Sequence, residues 1–305
     1  MTYAMTAEPT TMRASRSERI PAVLNLKIAS AIGIAHLYIF IFLPLYLLPV
    51  SAWWGLTLIP FFFMHSAQWG LIHEAIHKNL HPDRTVNEYA GRALSILMGV
   101  SYHVLSYGHL MHHKLNRDWE TEIIAKRDWR ATTMYYVTLL GGLYIKEIVG
   151  GLLLALFPPR LTLPETGWSF LRDPQARQTC RRYFFEKGNV KPLRYDVALA
   201  TALHIMALYF YGAHALLFAA FLLSRAWMIS FMDNIYHYGT THDEVGKDLA
   251  LSPWASGLLL HSNYHRVHHT NPSLPWTALP DASNGFDGRF LEHGLQQFNG
   301  PILQA

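Results

Sequence analysis

Residues 51–77 read SAWWGLTLIPFFFMHSAQWGLIHEAIH. From Ala52 to Ile72 the stretch carries no charge, and it runs straight into His73-Glu74-Ala75-Ile76-His77. An uncharged run of about 20 residues is long enough to cross the hydrocarbon core of a bilayer as a helix. A helix also puts residues four apart on one face, so His73 and His77 leave the end of that run on the same side. The stretch therefore predicts a membrane helix that delivers paired imidazoles to one face of the bilayer.

Working outward, Ala29–Val50 is another uncharged apolar run and predicts an earlier crossing. Residues 195–231 are apolar throughout except for Asp196 and Arg225 near the ends. They are too long for one helix and are interrupted at Tyr211-Gly212, which predicts a hairpin of two crossings. Residues 133–157 are apolar too, but hold Lys146-Glu147 in mid-run. The polar segments are basic. Residues 1–28 contain Arg13, Arg16, Arg19 and Lys27. Residues 158–194 contain Arg160, Arg172, Arg177, Arg181, Arg182, Lys187, Lys191 and Arg194 against Glu165, Asp173 and Glu186. Basic flanks mark the cytoplasmic face. Both lie there if 133–157 is in-plane or re-entrant, as its intramembrane charges favour. The expected architecture is an all-α integral membrane protein: four transmembrane helices carry a cytoplasmic helical cap with the histidines. Its parts are an N-terminal arm at 1–28, a membrane domain at 29–280 and a tail at 281–305, with both termini cytoplasmic.

Composition agrees. Of 305 residues, 51% are apolar and only 15% charged, against roughly 25% charged in soluble domains. Nine Trp, 16 Tyr and 16 Phe suit a chain with aromatic residues at both interfaces. The net charge of +4 comes from loops beside apolar runs and carries no nucleic-acid signal. The single cysteine, Cys180, excludes an intrachain disulfide, a four-cysteine iron site and a cysteine-ligated iron–sulfur cluster.

Histidine stands out, with 18 residues. Three clusters have helical spacing: His73 and His77; His109, His112 and His113; His265, His268 and His269. His237 is a further candidate at the end of the hairpin. All sit beside predicted helix ends on one membrane face. Neutral imidazole is a ligand for several transition metals, and a single zinc takes only about four ligands. Nine histidines suit two ions of about five ligands each. His36, His204 and His214 lie in or at the outer ends of crossings. His65, His103, His81 and His261 are near the clusters, and His242 and His293 read as solvent-facing.

The pattern HxxxH, HxxHH, HxxHH between paired membrane helices resembles the membrane fatty acid desaturase and hydroxylase superfamily over roughly residues 30–280. Asn116-Arg117-Asp118-Trp119-Glu120, after the second cluster, supports it. So does Asn263-Tyr264-His265-Arg266-Val267-His268-His269-Thr270-Asn271-Pro272, which is similar to the NYHxxHHxxP form of the third box. Asp233 to His237 is similar to the family's NxxxH element, with Asp where Asn is frequent. Asp233 is thus a candidate for a direct ligand, a water-mediated ligand or a partner of the ligands. The resemblance implies a histidine-ligated centre of two iron ions, O2 as co-substrate and a lipid or acyl substrate. It also implies an external electron donor of ferredoxin, rubredoxin or cytochrome type. It implies desaturation ahead of hydroxylation or ketolation, although Asn234-Ile235-Tyr236-His237-Tyr238-Gly239 is similar to alkane hydroxylases. Two rivals come from outside this superfamily. His73–His77 is a literal HExxH, the zinc-protease signature with Glu74 as base, and histidines lining a path would suit a metal transporter.

Overall fold

The computed structural model describes residues 19–115, 123–124, 128–163, 174–240 and 244–303. The words Asn116–Glu120, residue His242 and part of the basic 158–194 segment lie outside them. The described residues are mostly helical. Helix α1, Ala22–Leu37, continues in wider π-helical turns over Tyr38–Leu47. Pro44 lies inside that stretch and has no N–H to give, so the regular ladder is interrupted there. The helix begins within the predicted arm and includes its last seven residues.

The 52–72 run is not one helix. Residues Ala52–Leu58 wind as a 3-10 turn capped by Ser51, and α2 spans Phe61–Ile76. The break falls at Ile59-Pro60, where proline starts a new helix more readily than it continues an old one. Helix α3, Arg84–Met98, is capped at both ends. The Asp83 carboxylate accepts from the N–H groups of Thr85 and Val86 at 2.8 and 3.0 Å, and Gly99 ends the helix at φ +93°. Helix α4 follows at Tyr102–Leu115.

Helices α5, Trp129–Val137, and α6, Leu143–Leu156, are joined by a kinked turn. At the kink Gly141 has φ +122°, and a Cβ there would stand 3.2 Å from that of Ala226. Only glycine meets both demands. Helices α7, Val190–Tyr211, and α8, Ala215–Ile235, form a hairpin turning at Gly212, φ +47°. The short helix α9 is His265–Thr270.

Among the described residues, three stretches are long and apolar enough to cross a membrane: Ala22–Leu47, Trp129–Leu156 and Val190–Ile235, the last being the hairpin. The chain is an integral membrane protein. Their outer surfaces are apolar: Ile205, Tyr209 and Leu216 are 61%, 80% and 84% exposed, which suits lipid as neighbour. Between helices in lipid, close packing replaces the hydrophobic effect as the cohesive force. One core joins α2, α3, α4 and α6 through Leu71, Ala75, Leu94, Leu105 and Leu154. A second joins α1 to the hairpin tip through Phe40, Leu43, Tyr211 and Phe218.

Residues 281–303 are built into the fold. Gly288–Arg289 pairs with Leu249–Ala250, and Ile302–Leu303 with Ile123–Ile124. Asn234 donates to the Gln297 side chain at 2.6 Å, and the hydroxyls of Tyr135 and Tyr238 donate to the carbonyls of Gln297 and Gly300 at 2.5 and 2.9 Å.

Candidate metal centre

Four elements bring the histidines together. His73 is in the last turn of α2 and His77 directly follows it. His109, His112 and His113 line one face of α4. His237 follows the C-terminal end of α8, and α9 carries His265, His268 and His269. They form two groups: His73, His77, His109, His113 and His268 in one, His112, His237, His265 and His269 in the other. Within each, the candidate ligand atoms lie within 4.8 Å of one another. The eight histidines singled out by spacing and His237, singled out by its place at the end of the hairpin, are all here, and none of the other described histidines belongs to either group.

The ring nitrogens test whether these groups suit ions. In the first, the Nε2 of His109 is 2.8 Å from that of His77 and 2.9 Å from that of His113, which is also 3.0 Å from that of His268. In the second, the Nε2 of His269 is 2.9 Å from that of His112 and 3.0 Å from that of His265, which is 2.9 Å from that of His237. A neutral ring nitrogen has one proton or one lone pair, so the middle members cannot hydrogen-bond well to two neighbours at once. Lone pairs converging on a cation resolve this. With metal–nitrogen bonds of about 2.0–2.1 Å, ligands at right angles lie about 2.9 Å apart and tetrahedral ones about 3.3–3.4 Å. The observed 2.8–3.0 Å between adjacent members is nearer the right-angled value than the tetrahedral one.

Electrostatics agree. Burial, with the neighbouring imidazoles, lowers the pKa of His269 to about 2, and burial alone lowers that of His113 to about 4. Both rings are therefore neutral at physiological pH with lone pairs available, as ligation requires.

The surroundings fix these histidines. The Tyr236 ring stacks on His265 at 4.7 Å, and its hydroxyl pairs with Ser262 Oγ at 2.8 Å. Asp248 is fully buried. Its carboxylate accepts from the backbone N–H of Arg266 at 2.8 Å and of Val267 at 3.3 Å, capping the start of α9. Asn79 donates to the carbonyls of Pro272 and Leu274, and Asn25 to those of Asn79 and Leu80, tying the chain after the first box to the chain after the third. None of these partners stands at a spacing that marks it in the sequence.

Glu74 is neither exposed nor poised as a base. It is 2% exposed and accepts the backbone N–H of Trp276 at 3.1 Å. His73 and His77 sit in a five-histidine group, so the HExxH reading as a three-ligand zinc protease site finds no support. The histidines also cluster at one level, unlike a transport path. Asp233 is half-buried and belongs to neither group. It lines one cavity with His109 and His112 and another with His265 and His268. His293 is half-buried, not solvent-facing, and its Nε2 is 3.1 Å from the Tyr238 carbonyl.

A family model described as fatty acid desaturase matches residues 49–300. No curated protein and no solved structure matches the chain.

Proposed function

Because this chain belongs to the fatty acid desaturase family, and is thus a membrane oxidoreductase, we propose that it desaturates a fatty acyl or similar lipid chain with O2 at a centre of two irons. The observation that carries the reading is the pair of adjacent all-histidine groups of five and four members. Bound there, iron supplies O2 activation and the oxidising power to remove hydrogen from an unreactive C–H bond. His73, His77, His109, His113 and His268 hold one ion, and His112, His237, His265 and His269 the other.

The protein's own task is to orient and to exclude water. Trp69, Leu105, Leu143 and Ile229 line the cavity that reaches His109 and His112. They offer a hydrocarbon apolar contacts there, beside the polar Lys146, Glu147 and Asp233. Asp233, in the same wall, bears on the second group through a carboxylate that offsets cationic charge. Conversion of CH2–CH2 to CH=CH with one O2 yields two waters and consumes two electrons and two protons from outside. No four-cysteine site can form in this chain, so the electrons come from a separate donor protein. Basic residues of 158–194 offer such a partner a docking face.

The geometry also supports four crossings with a re-entrant α5–α6. The C-terminal ends of α2 and α8 share one side, since their histidines meet. Tyr135, on α5, bonds to Gln297 near that end of α8, and the Ala155 carbonyl, at the far end of α6, accepts from Arg194 at the start of α7. The start of α7 lies on the same side as the end of α8, because the two form a hairpin. Both ends of α5–α6 therefore return to the histidine side. The basic segments favour the cytoplasm for that side.

The test is metal and product together. Purified protein should contain two irons per chain, and its lipid products should gain a double bond by mass spectrometry. One zinc per chain would refute the centre. Products bearing a hydroxyl would move the reaction to the hydroxylase branch.

A further inference from the structure

The described residues enclose several apolar spaces, and only some communicate with the histidines. One, about 760 Å³, is a groove of Trp53, Leu56, Phe62, Leu217, Phe221 and neighbours on the N-terminal half of α8. It shares no residue with either cavity at the metal centre. A second cleft, about 440 Å³, lies between α6, α7 and α8 and is lined by Ile148, Ile205, Leu208, Leu222 and Leu223 among others. This one does share a wall with the metal cavity: Met98 and Tyr144 line both.

That shared wall is stiff. The Tyr144 hydroxyl donates to the Met98 carbonyl, and Arg225 Nη1 donates to the same carbonyl at 2.6 Å and to that of Leu97 at 3.3 Å. Arg225 is fully buried among apolar helices, with His204 and His36 ring nitrogens at 3.2 and 3.4 Å and no carboxylate ion-paired to it among the described residues. A guanidinium at such depth is costly. Here it is spent on the last carbonyls of α3, which carry the negative end of the helix dipole. The Tyr144 N–H is tied as well, to Ser230 Oγ on α8 at 3.2 Å. Helices α3, α6 and α8 thus converge on the partition.

We propose that Tyr144 and Met98, clamped by Arg225, are the stop against which the terminal carbons of the substrate's hydrocarbon chain rest, so that this partition sets which carbon reaches the metal centre. The proposal rests on the reading of the protein as a lipid-oxidising enzyme. The occupant is an alkyl chain because the cleft behind the partition is lined by apolar side chains, of which Ile205, Leu208 and Leu223 are exposed on the outer surface, and because Trp69, Leu105, Leu143 and Ile229 offer it apolar contacts on the metal side, beside the polar Lys146, Glu147 and Asp233. The choice of this wall over the larger groove follows from continuity with the metal cavity. Tyr144 and Met98 are specificity residues, and Arg225 is a positioning residue acting through the Met98 carbonyl.

A terminal-diazirine fatty acid, photolysed with the full-length protein in nanodiscs and mapped by mass spectrometry, tests this without turnover. Label should concentrate on Met98 and Tyr144. In Tyr144→Ala, which merges the two spaces, label should shift to cleft residues such as Leu208 and Leu222, and the site of oxidation should move along the chain. Tyr144→Phe keeps the ring and should retain the wild-type labelling pattern, which guards against misfolding of the alanine variant. Label confined to the groove at Trp53–Phe63 in the wild type, or an unchanged pattern in folded Tyr144→Ala, would overturn the stop. Correct labelling of a protein that oxidises no lipid would instead overturn the functional reading and leave the stop standing.

Discussion

Asp248 is predicted to hold metal without touching it. Its carboxylate caps α9, the helix that supplies His268 to one group and His265 and His269 to the other. Asp248→Ala removes a helix cap, a loss of about 0.5–2 kcal/mol. It also leaves the N–H groups of Arg266 and Val267 without their acceptor in a buried place, about 1–3 kcal/mol more. The contributions overlap, so about 2–4 kcal/mol is the working figure. Because both backbone bonds lost belong to α9, and only the longer one from Ser283 Oγ lies elsewhere, the penalty falls mainly on the local order of the third box. At about 1.4 kcal/mol per tenfold, iron retention against a chelator should weaken by roughly 30- to 1000-fold. Asp248→Asn keeps a side-chain oxygen as cap and loses the charge opposite Arg266, which stands 3.6 Å away, and the acceptor for Ser283 Oγ at 3.3 Å. It should keep most of its iron. The assay is iron per chain against rising chelator, for wild type and both variants. An Asp248→Ala protein that holds iron like the wild type would refute the reasoning, as would equal losses in the two variants.

Other expectations follow from the same geometry. His113→Ala and His269→Ala should abolish turnover with little loss of folded protein in membranes, while His214→Ala, at the hairpin tip, should leave activity intact; similar activities across the three would refute the ligand set. Asp233→Asn should retain iron but change turnover by about 10–100-fold, as partners of metal ligands do; wild-type turnover would assign Asp233 no part in the site. Metal-free protein should lose stability as pH falls from 6.5 toward about 4, where folded His113 titrates: the unfolded chain takes up protons there that the folded one refuses. A melting temperature that is flat between pH 7 and 5 would contradict that. Gly141→Ala should destabilise the α5–α6 kink by about 1–3 kcal/mol, read as a lowered melting temperature; no change would mean that the backbone relaxes there.

What was legible in the sequence was whatever repeats along a helix. His109, His112 and His113 share a face because of helical geometry alone, so their spacing identifies them before any fold is known. His265, His268 and His269 do so as well, although α9 is only six residues long. The hairpin at Gly212 was legible because glycine interrupts an apolar run too long for one helix. The division at Ile59-Pro60 was carried by the proline, yet the uninterrupted hydropathy of 52–72 outweighed it. Apolar character reports burial in lipid or protein and is silent on whether the backbone stays helical.

The partners of the ligands were not legible, for a physical reason that Glu74 and Asp248 share. Each acts across a long separation in sequence: Glu74 on Trp276, Asp248 on Arg266. A carboxylate that accepts backbone N–H groups needs no particular residue type opposite it, so nothing at the far end marks the pair. Arg225 is the extreme case, since it grips the carbonyls of Leu97 and Met98 and its partners are backbone atoms that every residue has. The sequence showed only an arginine near the end of an apolar stretch. In this protein eight of the nine clustered histidines are written in local periodicity, whereas the groups that hold their helices in place are written in tertiary contacts to the backbone. A substitution that spares all nine histidines can therefore still dismantle the centre, by releasing the segment that carries three of them.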